Sequence, residues 1–428
     1  MRSPNKVLTR AVACALGTAL AALGPRALAA TLPLPVGIDD GSTLSEPIKS
    51  DALVVSATGQ LQYDDNLYRL PDGASPTTLV GPQATRADYI ETAALELDGQ
   101  GIFGRQSYII DAQANQNWFS RNADLDYTGL NGAAVLNWSV GDRLAGEFGG
   151  FYTRTLADFA STYVYVKDLV DTSEGFATMR LEFLPHWMLI GAVRAGESLD
   201  SAAVLSFDNV RRQSANGGIE YDFGGGSTVG VQYRYTQGRF EVPGEFNGVP
   251  VSPNYTQDDT RLVVKYVLSG KTTLELNGGY LERSYQDTSF GKFSGEVGRA
   301  VFKWEMTRQS KLVLSGWRDL NAYVEAEANY YVGNGASIAP VWSPTRKLSF
   351  SATASFENQH FLASGDNLVP TAAHTDIVRA AEGKITYQPT EPLSFDLSVR
   401  HLNRTSPIAQ FQYSDNIALL SFTLRGNL

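Results

Sequence analysis

Apolar and polar residues alternate along much of the chain after residue 51. The stretch 343–356, SPTRKLSFSATASF, is typical: every second residue from Leu348 to Phe356 is apolar, and small polar residues lie between them. Successive side chains of a strand point to opposite faces, so a period of two predicts β-strands with one apolar and one polar face. The apolar faces need a cover, which is either a second sheet or lipid.

Short segments rich in Gly, Pro, Ser and Asp interrupt this alternation, and such residues readily adopt turn dihedral angles. After seven of these segments a strand restarts with an apolar residue, and successive restarts lie 36–45 residues apart. Longer polar segments separate the resulting hairpins. Turns are predicted at 98–101, 141–142, 184–186, 224–227, 269–271, 308–311, 343–346 and 389–392, and long connections include 64–87, 156–173, 197–209, 241–257 and 361–374.

Eight short turns and nine long connections predict 18 strands. An even strand number, with short turns at one end and long loops at the other, is typical of transmembrane barrels. Many runs reach 10–13 residues, which suits a tilted spanning strand, and a β-propeller would need four strands in each period of about 40 residues. We therefore expect residues 51–428 to form an all-β fold, an antiparallel up-and-down transmembrane β-barrel with about 18 strands, or 16 as the alternative.

Ionised residues fall on the polar parity of many strands. They would be costly in the core of a β-sandwich, whereas a barrel places them in a water-filled lumen. Two interpretations remain open: mutual ion pairs that stiffen the wall, which we favour, or a charged constriction that selects solutes. The aromatic residues Phe151 and Trp317 are also expected inside, either beneath an infolded loop or stacked on sugar rings. The candidate lumen-facing residues are Arg194, Arg212, Arg234, Arg261, Lys265, Glu275, Arg299, Lys303, Glu305, Asp396 and Arg400.

The N-terminus has the features of a secretory signal peptide, predicted over residues 1–30. Three basic residues precede an apolar core, Ala11–Gly24, which is too short to span a bilayer, and a small-residue cleavage site follows. A proline-rich periplasmic lead-in is predicted over 31–50. Cleavage removes Cys14, the one cysteine, which argues against disulfides, cysteine ligands and a cysteine nucleophile.

The mature chain would carry 31 basic and 45 acidic residues, a formal charge of −14. This charge argues against nucleic acid as a partner and suits an exported envelope protein. We expect the bacterial outer membrane as the location and its lipid as the main partner.

The sequence predicts no enzyme, cofactor or metal centre. Ser398 and His401 are an odd number of residues apart, which places them on opposite strand faces, although a membrane lipase would need them together. The stretch YDDNLYRLPDG, residues 63–73, supplies Asp64, Asp65 and Asn66, whose oxygens suit calcium. Their spacing is not that of an EF-hand, and a structural turn is the simpler interpretation; calcium binding remains the alternative.

The same stretch, YDDNLYRLPDG, resembles the start of the EpsL-type outer-membrane proteins, and LDYTGLNGAAVLNW (125–138) with GDRLAGEFGGFYTRTLADF (141–159) resembles the next block of that family. The resemblance is specific over 51–160 and continues as a hairpin rhythm to the C-terminus. It implies a non-catalytic porin-like barrel, associated with exosortase (PEP-CTERM) loci, in exopolysaccharide biosynthesis or export. Such a barrel would act as a conduit for extracellular polysaccharide or a structural component contacting periplasmic export proteins. The alternative functions are a general diffusion porin, a secreted all-β binding protein and an outer-membrane hydrolase.

Overall fold

The structure, a computed structural model, describes residues 52–161, 164–242, 244–246, 249–287, 292–325, 328–361 and 373–428. The predicted signal peptide and lead-in therefore lie outside the described residues. Eighteen long strands form one sheet, as the alternation predicted. No described helix has the length and apolarity needed to cross a membrane.

Each long strand has 13–17 residues. The outward-facing residues near the long-loop end include Arg154 and Asp171, which form an ion pair, so the strands extend beyond their apolar band. This extension explains why they exceed the predicted 10–13 residues. The strands of the sheet are β1 Ala52–Asp64, β2 Asp88–Phe103, β3 Gln106–Phe119, β4 Tyr127–Val140, β5 Leu144–Leu156, β6 Leu169–Leu184, β7 Trp187–Asp200, β8 Val210–Gly224, β9 Ser227–Phe240, β12 Tyr255–Ser269, β13 Thr272–Tyr285, β14 Lys292–Trp304, β15 Ser310–Glu325, β16 Ala328–Trp342, β17 Leu348–Phe361, β18 His374–Thr390, β19 Leu393–Thr405 and β20 Tyr413–Asn427.

Consecutive strands pair antiparallel, and β1 pairs with both β2 and β20. The sheet is therefore a closed barrel without free edges. A separate two-stranded ribbon, β10 Gly244–Phe246 and β11 Val249–Val251, lies in the connection between β9 and β12. One four-residue helix, Pro76–Leu79, lies in the connection between β1 and β2.

The two faces of the wall differ in exposure as the alternation predicted. On β12, Asp259 and Val263 are 2% and 4% exposed, whereas Leu262 and Tyr266 are 51% and 52% exposed. Pairing preserves this parity from strand to strand, since residues of one face are opposite residues of the same face. The exposed face carries large apolar residues around the barrel, and Trp187, Trp304 and Trp342 lie on it at the short-turn end.

One predicted turn is wrong. The segment 98–101 is not a turn, because β2 continues through it to Phe103 and the chain reverses at Gly104 and Arg105. Gly104 has a positive φ of 66°, which a glycine adopts without strain. Gly101 instead makes room for the ring of Tyr108, since a Cβ there would lie 2.5 Å from Tyr108 Cε1. Both glycines are needed, but only one of them turns the chain.

Candidate functional site

The connection between β1 and β2 packs against the inner face of the barrel at its long-loop end. Its residues Leu67, Tyr68 and Leu70 are among the most buried in the protein, and they cluster with the inward-facing Ile90 and Phe119. Burial raises the pKa of the Tyr68 phenol, with the charges of Asp124 and Asp88 adding to the effect. Neighbouring long loops contribute Leu125 and Phe159 to this cluster. Apolar packing therefore holds several long loops together inside the mouth.

Arg69 fixes this loop to two other parts of the chain. Its Nη1 lies 3.0 Å from Asp64 Oδ2 at the end of β1 and 3.2 Å from Asp415 Oδ1 on β20, and its Nε lies 3.6 Å from Asp158 Oδ1. Nη1 also donates to the carbonyl of Asn66 at 2.7 Å. Burial by itself would lower the pKa of Arg69, but the three carboxylates raise it above its ordinary value. Arg69 is thus a buried charge surrounded by opposite charges.

The residues considered for calcium hold the loop in its turn. Asp64 Oδ1 accepts a hydrogen bond from the Asn66 backbone at 2.9 Å, and the Asn66 side chain bonds the carbonyl and the amide of Leu70. Asp65 accepts hydrogen bonds from the backbone and side chain of Asn416. These bonds support the structural-turn interpretation.

Within the described part of the chain, three carboxylates come close together at two places. Asp64, Asp65 and Asp415 form one group, and the inward-facing Glu96, Asp98 and Asp111 of β2 and β3 form the other. The guanidinium of Arg69 contacts Asp64 and Asp415 of the first group, so a positive charge already balances these carboxylates. The second group gives this part of the wall a negative surface.

A second buried arginine, Arg404 on β19, holds the loop between β5 and β6. It forms an ion pair with Asp376 of β18 at 2.7 Å and donates to the carbonyl of Ala160 at 2.8 Å. Its guanidinium also lies 5.8 Å and 4.8 Å from the ring centroids of Phe361 and Phe411. Since β19 is six strands away from β5, this loop crosses part of the mouth to reach Arg404.

Most predicted lumen charges on the wall lie in ion pairs. Their parity places them on the inner face, beside residues of opposite charge on the same or adjacent strands. The pairs are Arg194 with Glu174 at 2.9 Å, Arg261 with Asp259 at 2.8 Å, Arg299 with Asp319 at 2.8 Å, Lys303 with Glu275 at 2.7 Å and Lys384 with Asp396 at 3.2 Å.

The remaining candidates differ in position. Arg212, Arg234, Lys265 and Arg400 share the inner parity of their strands, and Arg234 and Arg261 line one small cavity. Glu305 is an exception, because β14 ends at Trp304. It is exposed in the following turn and pairs with Lys311 at 2.8 Å, at the rim rather than on the spanning wall.

The aromatic candidates have inward parity, and Trp317 is held by polar contacts. Its Nε1 donates to Glu357 Oε2 at 2.7 Å, and the Arg299 guanidinium lies 5.5 Å from its ring centroid. Phe151 is opposite Glu174 across the β5–β6 pair. Trp317 is thus part of the charged wall, whereas the aromatic residues that pack between loops are others, such as Tyr68 and Phe159.

The predictions omitted both arginines that anchor the loops. Arg404 has the same parity as Asp396 and Arg400 on β19, so extending the alternation by four residues would have placed it inside. Arg69 lies in a connection, where no period assigns a face. Ser398 and His401 lie on opposite faces of β19, and His401 bonds Asn416 on the outer side.

The inner charges are unevenly distributed around the barrel. Glu96, Asp98 and Asp111 line β2 and β3, whereas Arg194, Arg212, Arg234, Arg261 and Arg299 follow one another from β7 to β14. In the strand order, β2 and β3 lie nine strands from β13 and β14, on opposite sides of the barrel. The acidic group therefore lies across the barrel from Arg261 and Arg299, whereas Arg194 on β7 is only four strands from β3.

Comparisons with known proteins agree with the architecture. Residues 258–426 match the sequence model of the family "Putative beta-barrel porin 2". No curated protein matches the chain. Among solved structures, Pseudomonas aeruginosa OccK2 (OpdF) in complex with glucuronate is 12% identical and has a TM-score of 0.50, with 88% of this chain and 98% of that chain covered.

Two further structures have the same general likeness. A BenF-like porin from Pseudomonas fluorescens Pf-5 is 11% identical, with a TM-score of 0.49 and coverage of 89% of this chain and 100% of that chain. Acinetobacter baumannii OccAB3 is 10% identical, with a TM-score of 0.47 and coverage of 89% and 100%. At 12% identity the likeness to the OccK2 structure concerns the fold alone.

Proposed function

We propose that the protein is a non-catalytic diffusion channel of the bacterial outer membrane. The observation that carries the proposal is the closed barrel of 18 strands with an apolar outer face, a polar inner face and a mouth narrowed by inward loops. Barrels of this size enclose an aqueous lumen, and lipid covers the exposed apolar band. Similarity of residues 258–426 to a porin family supports the same function.

The solutes that fit the lumen are small and carry at least one carboxylate. Arg234 and Arg261 line a common small cavity on the inner wall together with Asp259, and an acidic group lies on the other side of the barrel. A transverse field of this kind orients a polar solute that carries separated groups of different charge. The OccK2 structure in complex with glucuronate has the same fold.

Planar-bilayer recording tests the channel directly. The purified, folded barrel is expected to produce discrete conductance steps, and liposomes that contain it are expected to take up glucuronate faster than a neutral sugar of similar size. The same sample after boiling is the control. Absence of conductance from a barrel that migrates as folded on a gel would refute the proposal.

A second candidate function is exopolysaccharide biosynthesis or export, in which the barrel contributes a conduit or a structural component. The sequence resemblance to EpsL-type proteins over 51–160 favours it, and this region supplies the loops anchored by Arg69 and Arg404. Deletion of the gene is expected to reduce extracellular polysaccharide, with restoration by the wild-type chain. Unchanged polymer in the deletion strain would remove this candidate and leave the diffusion channel untouched.

A further inference from the structure

The seam between β14 and β15 is much shorter than its neighbours. All thirteen residues of β14 pair with β13, but only the seven from Gly298 to Trp304 pair with β15. The ladder ends at the pair of Gly298 and Arg318, and there the side chain of Arg318 donates from Nε to the carbonyl of Glu296 at 3.0 Å. The six residues Lys292–Val297 therefore form an edge on the β15 side, at the long-loop end of the barrel.

Beyond Arg318 the hairpin of β15 and β16 is no longer paired with β14, whereas β16 stays paired with β17 as far as Tyr331, opposite Phe361. Leu320, Tyr330 and Val332 have the parity of the outward-facing Leu314 and Ile338, so a regular barrel would place them outside. Tyr330 and Val332 are nevertheless buried, and Leu320 packs against the same cluster. Their face of the hairpin is therefore covered.

The cover is the inner face of the neighbouring strands. Tyr330 and Val332 cluster with Leu281 of β13 and with Phe293 and Val297 of β14, which have the parity of the lumen-facing Glu275 and Arg299. The Tyr330 ring lies 5.8 Å from that of Phe293. The hairpin thus bends inward and lies behind the upper part of β14.

A second arrangement is available to the same strands. Continuing the pairing of Gly298 with Arg318 would bring Glu296 opposite Leu320 and Ser294 opposite Ala322. That arrangement would extend the ladder along the edge of β14 and return Leu320, Tyr330 and Val332 to the outer face. It exchanges an apolar cluster inside the mouth for backbone hydrogen bonds in the wall.

We propose that the described parts of the β15–β16 hairpin above Arg318, residues 319–325 and 328–332, form a gate. The gate narrows the pore when tucked behind β14 and widens it when the β14–β15 ladder closes. The alternation encodes the wall position, and the cluster around Phe293 and Tyr330 stabilises the tucked position. This gating role rests on the proposed channel function, whereas the movement of the hairpin does not.

Disulfide trapping tests the movement. In a background with Cys14→Ala, the pair Ser294→Cys and Ala322→Cys would be adjacent only when the ladder is closed, at the Cβ separation of directly opposed strand residues. We expect partial cross-linking on mild oxidation in outer-membrane preparations. Adding Tyr330→Ala, which removes the aromatic contact with Phe293, is expected to raise the cross-linked fraction by about twofold or more. The positive control is Ala300→Cys with Gly316→Cys, which are opposite each other in the existing ladder.

Conductance tests the gate. The oxidised Ser294/Ala322 variant is expected to conduct more than the same protein after reduction, because the hairpin is then held in the wall. The proposed movement would be wrong if the control pair cross-links but Ser294→Cys and Ala322→Cys stay reduced, even when Tyr330→Ala is added. Equal conductance before and after reduction would overturn the gate. Cross-linking without conductance in any variant would instead refute the proposed channel, and with it the gating role.

Discussion

Two buried arginines determine the shape of the pore mouth at the scale of single residues. Arg69 joins its loop to Asp64, Asp158 and Asp415, and Arg404 joins the next inward loop to the far wall through Ala160. Removing one partner from a buried ion pair leaves uncompensated charge, which costs far more than loss of an exposed pair. Loop position therefore depends on a few side chains.

Replacing Arg69 with Met should release the β1–β2 loop. Three carboxylates would lose their partner, and the free energy of holding the loop inside should fall by about 3–5 kcal/mol. Limited proteolysis of the folded barrel with thermolysin should then cleave this loop about 100-fold faster or more. Arg105→Met is the matched control, because Arg105 is 62% exposed in its pair with Asp142. Equal cleavage of both variants would show that Arg69 does not hold the loop.

At the scale of an element, strand β17 shows how alternation assigns faces. Its residues from Leu348 to Phe356 have the parities expected from sequence, with Ala352 outside and Thr353 inside, opposite Glu382 of β18. The positions of connections are harder to predict, as the wrong turn at 98–101 shows. In the sequence, a glycine that turns the chain cannot be distinguished from a glycine that makes room for a side chain. The structure shows that Gly101 makes room for the ring of Tyr108. The face on which a strand residue lies follows from the residues next to it in sequence, whereas the position of a turn also depends on the neighbouring strand.

A lysine should be tolerated on one face of β17 and not on the other. Ala352→Lys places a charge against lipid near the middle of the apolar band, at an expected cost of about 2–4 kcal/mol in unfolding free energy. Thr353→Lys places the same charge in the lumen beside Glu382 and should cost under about 1 kcal/mol. The midpoint of guanidinium unfolding, followed by the gel shift of the folded barrel, measures both. Equal losses would contradict the assigned faces.

At the scale of the whole molecule, barrel closure brings separate strands into one electrostatic field. The acidic group on β2 and β3 is distant in sequence from Arg261 and Arg299, but closure places these arginines across the lumen from it. Many of the arginines also have carboxylate partners, as Arg194 has Glu174, which limits the net field. The ion pairs support the pairing interpretation for these residues, whereas the selective constriction stays a prediction.

Removing positive charge from the arginine wall should shift ion selectivity towards cations. The double variant Arg234→Gln and Arg261→Gln is expected to lower the anion-to-cation permeability ratio roughly two- to fivefold in 0.1 M salt. The shift should shrink in 1 M salt, where the Debye length is about 3 Å. Reversal potentials in a KCl gradient measure it, with Arg379→Gln on the outer face as the control. An unchanged ratio in 0.1 M salt would show that these arginines do not set selectivity.

The sequence by itself determined the strand number and the face of the wall on which Arg261, Arg299 and Ala352 lie, because alternation is a local property of each strand. Only the tertiary structure decided which loops fold inward and which partners the charges take. The contact of Arg404 with Ala160 spans 244 residues, and no local period reports a contact over such a distance. Tyr330 is a second example. Its parity assigns it to the outer face, but it packs against Phe293 on the inner side. There the buried apolar cluster takes the place of the backbone pairing between the upper parts of β14 and β15.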